Sequence, residues 1–136
     1  MRKEADDIPA DECWDLLRSV SVGRMALSMG AVPAILPVQY YVDGEALAAC
    51  LGHYSVPRGA INNVVVAFAA DELESNGKSG WTVQVHGTVS PFTPLGVPVD
   101  CGQPTAGQIV RIAPVVVTGH RIHLCPFVQF HRSSNP

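Results

Sequence analysis

Charge is scarce in this sequence. Of 136 residues, nine are Lys or Arg and twelve are Asp or Glu, 15% in all, against the roughly 25% usual for soluble domains. The nine cations form no dense run and the formal net charge is −3. There is thus no basic field of the kind that gathers a nucleic-acid backbone, and that class of partner is excluded. Long apolar runs are missing as well, since no segment approaches the length of a bilayer-spanning helix and the opening MRKEADDIPADE is highly charged. A membrane role is not expected, and a cytosolic location is. Cysteine is sparse and scattered: Cys13, Cys50, Cys101 and Cys125 have neither CxxC spacing nor the density of a secreted disulfide scaffold. Four reduced, mostly buried thiols are therefore expected. Nucleophile motifs are also lacking, because GHYSVP is not a nucleophile elbow and Cys50 lies in an apolar stretch with no evident activating partner.

What is present is apolar residue in excess, 47% of the chain. The length suits one domain over residues 1–136, with an N-terminal arm at 1–8 and a C-terminal tail at 126–136. So low a charge content leaves apolar surface that a subunit interface would cover. Pro9 to Val20 reads as a helix, since Cys13, Leu16, Leu17 and Val20 recur at helical spacing and Asp11 and Glu12 suit its positive end. VGRMALSM at Val22–Met29 and VPAILPVQYYV at Val32–Val42 read as a hairpin, and Asp43-Gly44 turns the chain into a third strand, EALAACL. VVVAFAADEL from Val64 is a fourth strand whose unbroken apolar start predicts burial on both faces. WTVQVHGTV alternates most clearly, with Trp81, Val83, Val85 and Val89 on one side and Thr82, Gln84, His86 and Thr88 on the other. Residues 91–107 hold too many prolines and glycines for a useful helix. QIVRIAPVVVTGHRIHLC then closes the domain as a long strand, broken or bulged near Pro114 and Gly119. One leading helix and five or six antiparallel strands predict a small barrel, because closure removes apolar strand edges.

Two groups of residues bear on chemistry. LGHYSVPRGAINN, residues 51–63, sets glycine, serine and arginine close together, as a phosphate pocket would, but without a conveniently placed lysine. Among the histidines, His123 and Cys125 share a strand face, and His86 and His131 are further candidates, yet no spacing compels a metal site. No metal is expected.

The order of segments resembles the pyridoxamine 5′-phosphate oxidase-like proteins, the flavin-binding split barrels. The resemblance is carried by ECWDLLRSVSVGRMALS at 12–28, PAILPVQYYVDG at 33–44, VAFAADE at 66–72, GWTVQVHGTV at 80–89 and VRIAPVVVTGHRI at 110–122. It implies a six-stranded antiparallel split barrel of Greek-key type that forms a homodimer with two flavin sites at the interface. The flavin is usually FMN and in some branches the deazaflavin F420. Members commonly run from the third strand into Arg-Thr and then Gly-Ser-Lys around the phosphate. Here those positions fall on Cys50, Leu51, Ser55 and Val56, so the serine alone is kept, and Arg58 stands two residues on as a replacement cation. The family's Gly-Arg-Arg becomes Gly119-His120-Arg121. By the same resemblance the flavin ring runs along Val38, Gln39 and Tyr40. Trp81 either closes over the cofactor of a partner subunit or fills the core.

Two functions follow from the resemblance and the departures from it. One is an FMN-dependent oxidoreductase acting on a small organic substrate, in which the cofactor carries the hydride and the protein places the substrate. The other is a split barrel that has lost FMN and handles another small molecule in its interface pocket. A deazaflavin reductase would need a cationic groove, and the sparse basic residues argue against it.

Overall fold

The structure, a computed structural model, describes residues 6–52, 54–92 and 108–125. Its helix α1 spans Ala10–Ser19, and its strands are β1 Val22–Met29, β2 Val32–Asp43, β3 Ala46–Gly52, β4 Val64–Leu73, β5 Ser79–Pro91 and β6 Gln108–His123. The six strands, all antiparallel, close into one barrel in the order β1-β2-β3-β6-β5-β4. This is the expected mainly β fold with a flanking helix. No helix among the described residues is long and apolar enough to cross a membrane.

Alternation along the strands builds the interior, except in β3, where Ala46–Ala49 are buried on both faces. Met25 and Leu27, Val38 and Tyr40, Leu47, Ala49 and Leu51, Val66, Phe68 and Ala70, and Trp81, Val83, Val85 and Val89 all lie in one buried cluster. Gly30 and Gly44, at φ +66° and +65°, serve the tight turns β1–β2 and β2–β3, where a left-handed residue is needed. Helix α1 lies over one end of β6 and buries Cys13 and Leu17. Its last turn leaves carbonyls without helical partners. The Tyr40 hydroxyl donates to Leu17 O at 2.5 Å and the Ser19 hydroxyl to Leu16 O at 2.7 Å. Tyr40 also meets Phe68 edge to face, with ring centroids 4.7 Å apart.

Several expectations need correction. β4 is buried on one face only: Val66 and Phe68 point inward, whereas Val65 is 72% exposed on the outer wall. β6 bulges beside Pro114 as expected, with Val115 unpaired between His86–Val116 and Gly87–Pro114, but it is not broken at Gly119, which pairs in register with Val83. Gly119 instead lets the chain's start approach, since a Cβ there would sit 2.5 Å from Cys13 Sγ and 3.1 Å from Ile8 Cβ. Ile8, the last residue of the arm expected at 1–8, is buried and donates its N–H to Gly119 O. Cys50 is disulfide-bonded, so the four cysteines are not all reduced; Cys13 and Cys125 are free, and Cys13 alone of those two is buried. Trp81, for which two roles stood open, is 9% exposed and packs in the barrel core. The 93–107 stretch and the 126–136 tail lie outside the described residues.

Two substitutions test this core. Burial pushes the Tyr40 phenol up to about 12. Because the folded value lies above the ordinary value of 10, its stabilising contribution is complete below pH 10 and is lost as pH rises through 12, an effect of about 2 to 3 kcal/mol. Tyr41 and Cys13 are raised as well, chiefly by burial, and add to the same alkaline loss. Tyr40→Phe is expected to cost about 1 to 2 kcal/mol near neutral pH, by orphaning the Leu17 carbonyl, and to flatten the alkaline decline in urea-unfolding stability. Trp81→Ala is expected to cost about 3 to 5 kcal/mol in the same measurement, whether or not a flavin is present.

Candidate functional site

β2 and β3 differ in length, and the difference creates an open edge. β2 pairs with β1 along Val32–Gln39 and with β3 only from Gln39 onward. Backbone groups alternate in direction along a strand, and the Tyr40 N–H donates to Ser21 O on the β1 side. The even-numbered residues of β2 therefore face β1. Pro33, Ile35 and Pro37 face the other way, where no strand pairs with them among the described residues. Two of the three are prolines, so this edge offers three carbonyls and a single N–H, that of Ile35.

The loop after β3 crosses this edge. The Tyr54 N–H donates to Leu51 O at 3.0 Å, and its hydroxyl donates to Pro37 O at 2.8 Å. Ser55 follows, exposed, and Arg58 opens a short 3-10 turn, Arg58–Ala60. Neither the Ser55 hydroxyl nor the Arg58 guanidinium has a hydrogen-bond or ion partner among the described residues. By contrast Arg18, Arg24, Arg111 and Arg121 are all paired with carboxylates. On the far side of the 3-10 turn is a hollow of about 460 Å³ lined by Ser28, Gly30, Pro57, Gly59 and Ala60. A cation and a hydroxyl three residues apart on one loop, both unpaired among the described residues, are a donor set suited to a phosphate.

The remaining expected residues fall elsewhere. Val38 and Tyr40 turn their side chains into the core, and their backbone groups belong to the β1 ladder; Gln39 alone of the three presents its side chain outward. A ring placed on backbone groups must lie one step upstream, on Pro33–Pro37. Leu51 is fully buried and Cys50 is held in its disulfide, so neither takes over the arginine or threonine it replaces. His120 and Arg121 do not join Ser55 and Arg58 within one protomer. Cys50 pairs with Ile109 and Trp81 with Arg121, which puts the two cation groups at opposite ends of β6, about 40 Å of extended chain apart. His120 Nδ1 lies 3.2 Å from Asp7, and Arg121 donates to Glu12 at 2.8 Å. These contacts tie the chain's start and α1 to β6. A hollow of about 630 Å³ between α1 and β6 carries Asp11, Asp15 and Glu45 against Arg18 and repels an anion. No three His, Cys, Asp or Glu side chains converge as metal ligands among the described residues, and His131 lies outside them.

Sequence reasoning missed the open edge and Tyr54. The available signal was the spacing of Pro33 and Pro37, four apart and so on one side of the strand. The residues fit a flavin nucleotide in part: one phosphate donor set and one carbonyl-rich edge lie on neighbouring segments, while the family's second cation group is absent from that place.

Comparison with known proteins agrees with this architecture. Residues 9–96, well over half the chain, match the sequence profile described as pyridoxamine 5′-phosphate oxidase. A protein of Mycobacterium tuberculosis, the uncharacterized Rv0080, is 33% identical over 135 residues, covering 88% of this chain and 87% of its own. The structure of an FAD binding protein from Mycobacterium smegmatis superposes with a TM-score of 0.72 at 25% identity, over 88% of this chain and 99% of that one. An FAD-binding protein from Mesorhizobium loti superposes at 0.63 with 20% identity, over 85% and 96%, a likeness of fold. With its barrel order, its segment order and these similarities in agreement, the chain belongs to the pyridoxamine 5′-phosphate oxidase family of split barrels.

Proposed function

We propose that the protein is a flavin-dependent oxidoreductase that acts on a small organic substrate as a homodimer. The observation that carries this reading is the unpartnered Ser55–Arg58 pair on the loop that crosses the open β2 edge. FMN is the flavin the family resemblance implies, and similarity to FAD-binding proteins sets FAD beside it. When bound, the flavin supplies hydride transfer. Arg58 and Ser55 hold one phosphate, the Pro33–Pro37 edge holds the ring, and the Gln39 side chain is placed to orient what lies against it. A cytoplasmic location belongs to the same reading.

The dimer reading rests on the outer wall of β2, β1 and β4. Ile35, 68% exposed, stands beside Ala26 and Ala67 in one cross-strand row. These small residues floor a hollow of about 240 Å³ with Arg24 and Gln84 at its rim. An isologous contact uses such a patch twice, each copy's large side chain against the other's small ones. Ile35→Glu is expected to shift the protein to a monomer in light scattering; an unchanged mass would place the interface elsewhere.

The second reading, a barrel that has lost flavin, is favoured by the disulfide at Cys50 and by Val56 where the family places cations. A deazaflavin with an acidic tail is disfavoured because most arginines are already paired. Titration with FMN and with FAD, followed by flavin fluorescence and melting temperature, decides between them. Saturable binding that raises the melting point is expected, since a hundredfold excess over Kd stabilises by about 2.7 kcal/mol. Indifference to both flavins would support the second reading. Arg58→Ala is expected to weaken binding about tenfold or more while leaving the melting point of the flavin-free protein unchanged, because the side chain has no partner to lose. Unchanged affinity would remove Arg58 from the site.

A further inference from the structure

Tyr54 is a large aromatic residue left 37% exposed, yet it is held at both ends. Its N–H is bonded to Leu51 O and its hydroxyl to Pro37 O, so the ring is fixed on the open side of β2 and does not sway in solvent. The edge that it touches is unusual in its composition. Pro33 and Pro37 contribute carbonyls without N–H groups, and only Ile35 contributes both. Such an edge is a poor template for another strand, which would need alternating donors and acceptors along its length. It suits a compact group that brings its own N–H to a carbonyl and an oxygen to the Ile35 N–H. A planar heterocycle with an imide, an N–H between two carbonyls, has that pattern, and the pyrimidine end of an isoalloxazine ring is one.

We propose that Tyr54 is a positioning residue for such a ring: pinned to Pro37 O, it walls the Pro33–Ile35 edge on which the imide sits, between that edge and the Ser55–Arg58 phosphate group. The inference rests on the flavin reading above and names the side chain that sets the ring's place. Tyr54 acts through packing and position, and it exchanges no proton or electron with the ring in turnover.

The test uses the full chain, with Tyr54→Ala and Tyr54→Phe compared to the unaltered protein. The probes are FMN, FAD and lumiflavin, an isoalloxazine with no phosphate. Two quantities are read, the Kd and the residual fluorescence of the saturated flavin, which a tyrosine ring in contact quenches. Tyr54→Phe is expected to lose most of the quenching, since the electron-rich phenol quenches and a phenyl ring does not, and to lose about fivefold in affinity, as one neutral hydrogen bond is removed. Tyr54→Ala is expected to restore most of the fluorescence and to weaken FMN and lumiflavin alike. Arg58→Ala, in the same series, is expected to weaken FMN and leave lumiflavin unchanged. A Tyr54→Ala protein that binds with unaltered Kd and unaltered quenching overturns the role given to Tyr54 while leaving the flavin reading in place. Should Tyr54→Ala not fold, unaltered quenching in the folded Tyr54→Phe protein would overturn it as well. An unaltered protein that binds none of the three probes overturns the flavin reading and this inference with it.

Discussion

β2 has more backbone than its neighbours can pair with. It satisfies β1 along its first eight residues and β3 only along its last five, Gln39 being shared, so its first half has one laddered side and one open side. A buried edge of this kind would demand partners, and an exposed one invites another chain. The molecule meets both demands by placing proline at 33 and 37, where the missing N–H groups would have faced outward, and by laying Tyr54 across Pro37. The position of the following loop, with Ser55 and Arg58, depends on that contact.

The disposition of charge follows a second division. Asp7 and Glu12 engage His120 and Arg121 at one end of β6, and Asp71 and Asp43 take Arg24 and Arg111 on the walls. Exposed pairs of this sort contribute little to stability. Their effect is rather to occupy cations that a family pattern would assign to a cofactor. Arg58 has no carboxylate partner among the described residues, so the phosphate is assigned there and not at Arg121.

Much of this was legible in the sequence, and what was not has physical causes. β5 was read correctly because its polar and apolar residues alternate without exception from Trp81 to His86. β4 was not, since VVV supplies no polar residue to mark the outer face, and the outward Val65 looks like its inward neighbours. Gly119 was taken as a break because glycine weakens strands. Its function is to make room for Cys13, a residue more than a hundred positions away. The disulfide at Cys50 escaped notice for the same reason, as scattered cysteines carry no local sign of pairing. Of the candidate site, Ser55 and Arg58 were singled out from residue type and from the family's Gly-Ser-Lys, and they lie on the loop that crosses the β2 edge. Motif alignment gives position along the chain and not the direction of each group, so it does not show that the Val38 and Tyr40 backbone is taken up by β1, or that the Leu51 side chain is buried.

β6 holds a particular place in the order of events. It is the last described strand, yet it lies between β3 and β5, and both α1 and Ile8 rest on it. During synthesis, β1 to β5 emerge before any of those surfaces has its partner. The hairpins can form early, since their contacts are local, but the barrel stays an open sheet with two bare edges until Gln108–His123 has left the ribosome. A chain cut short before β6 is therefore not a smaller version of this protein. It is an unclosed sheet with apolar strands at both borders, and chaperones or aggregation would claim it.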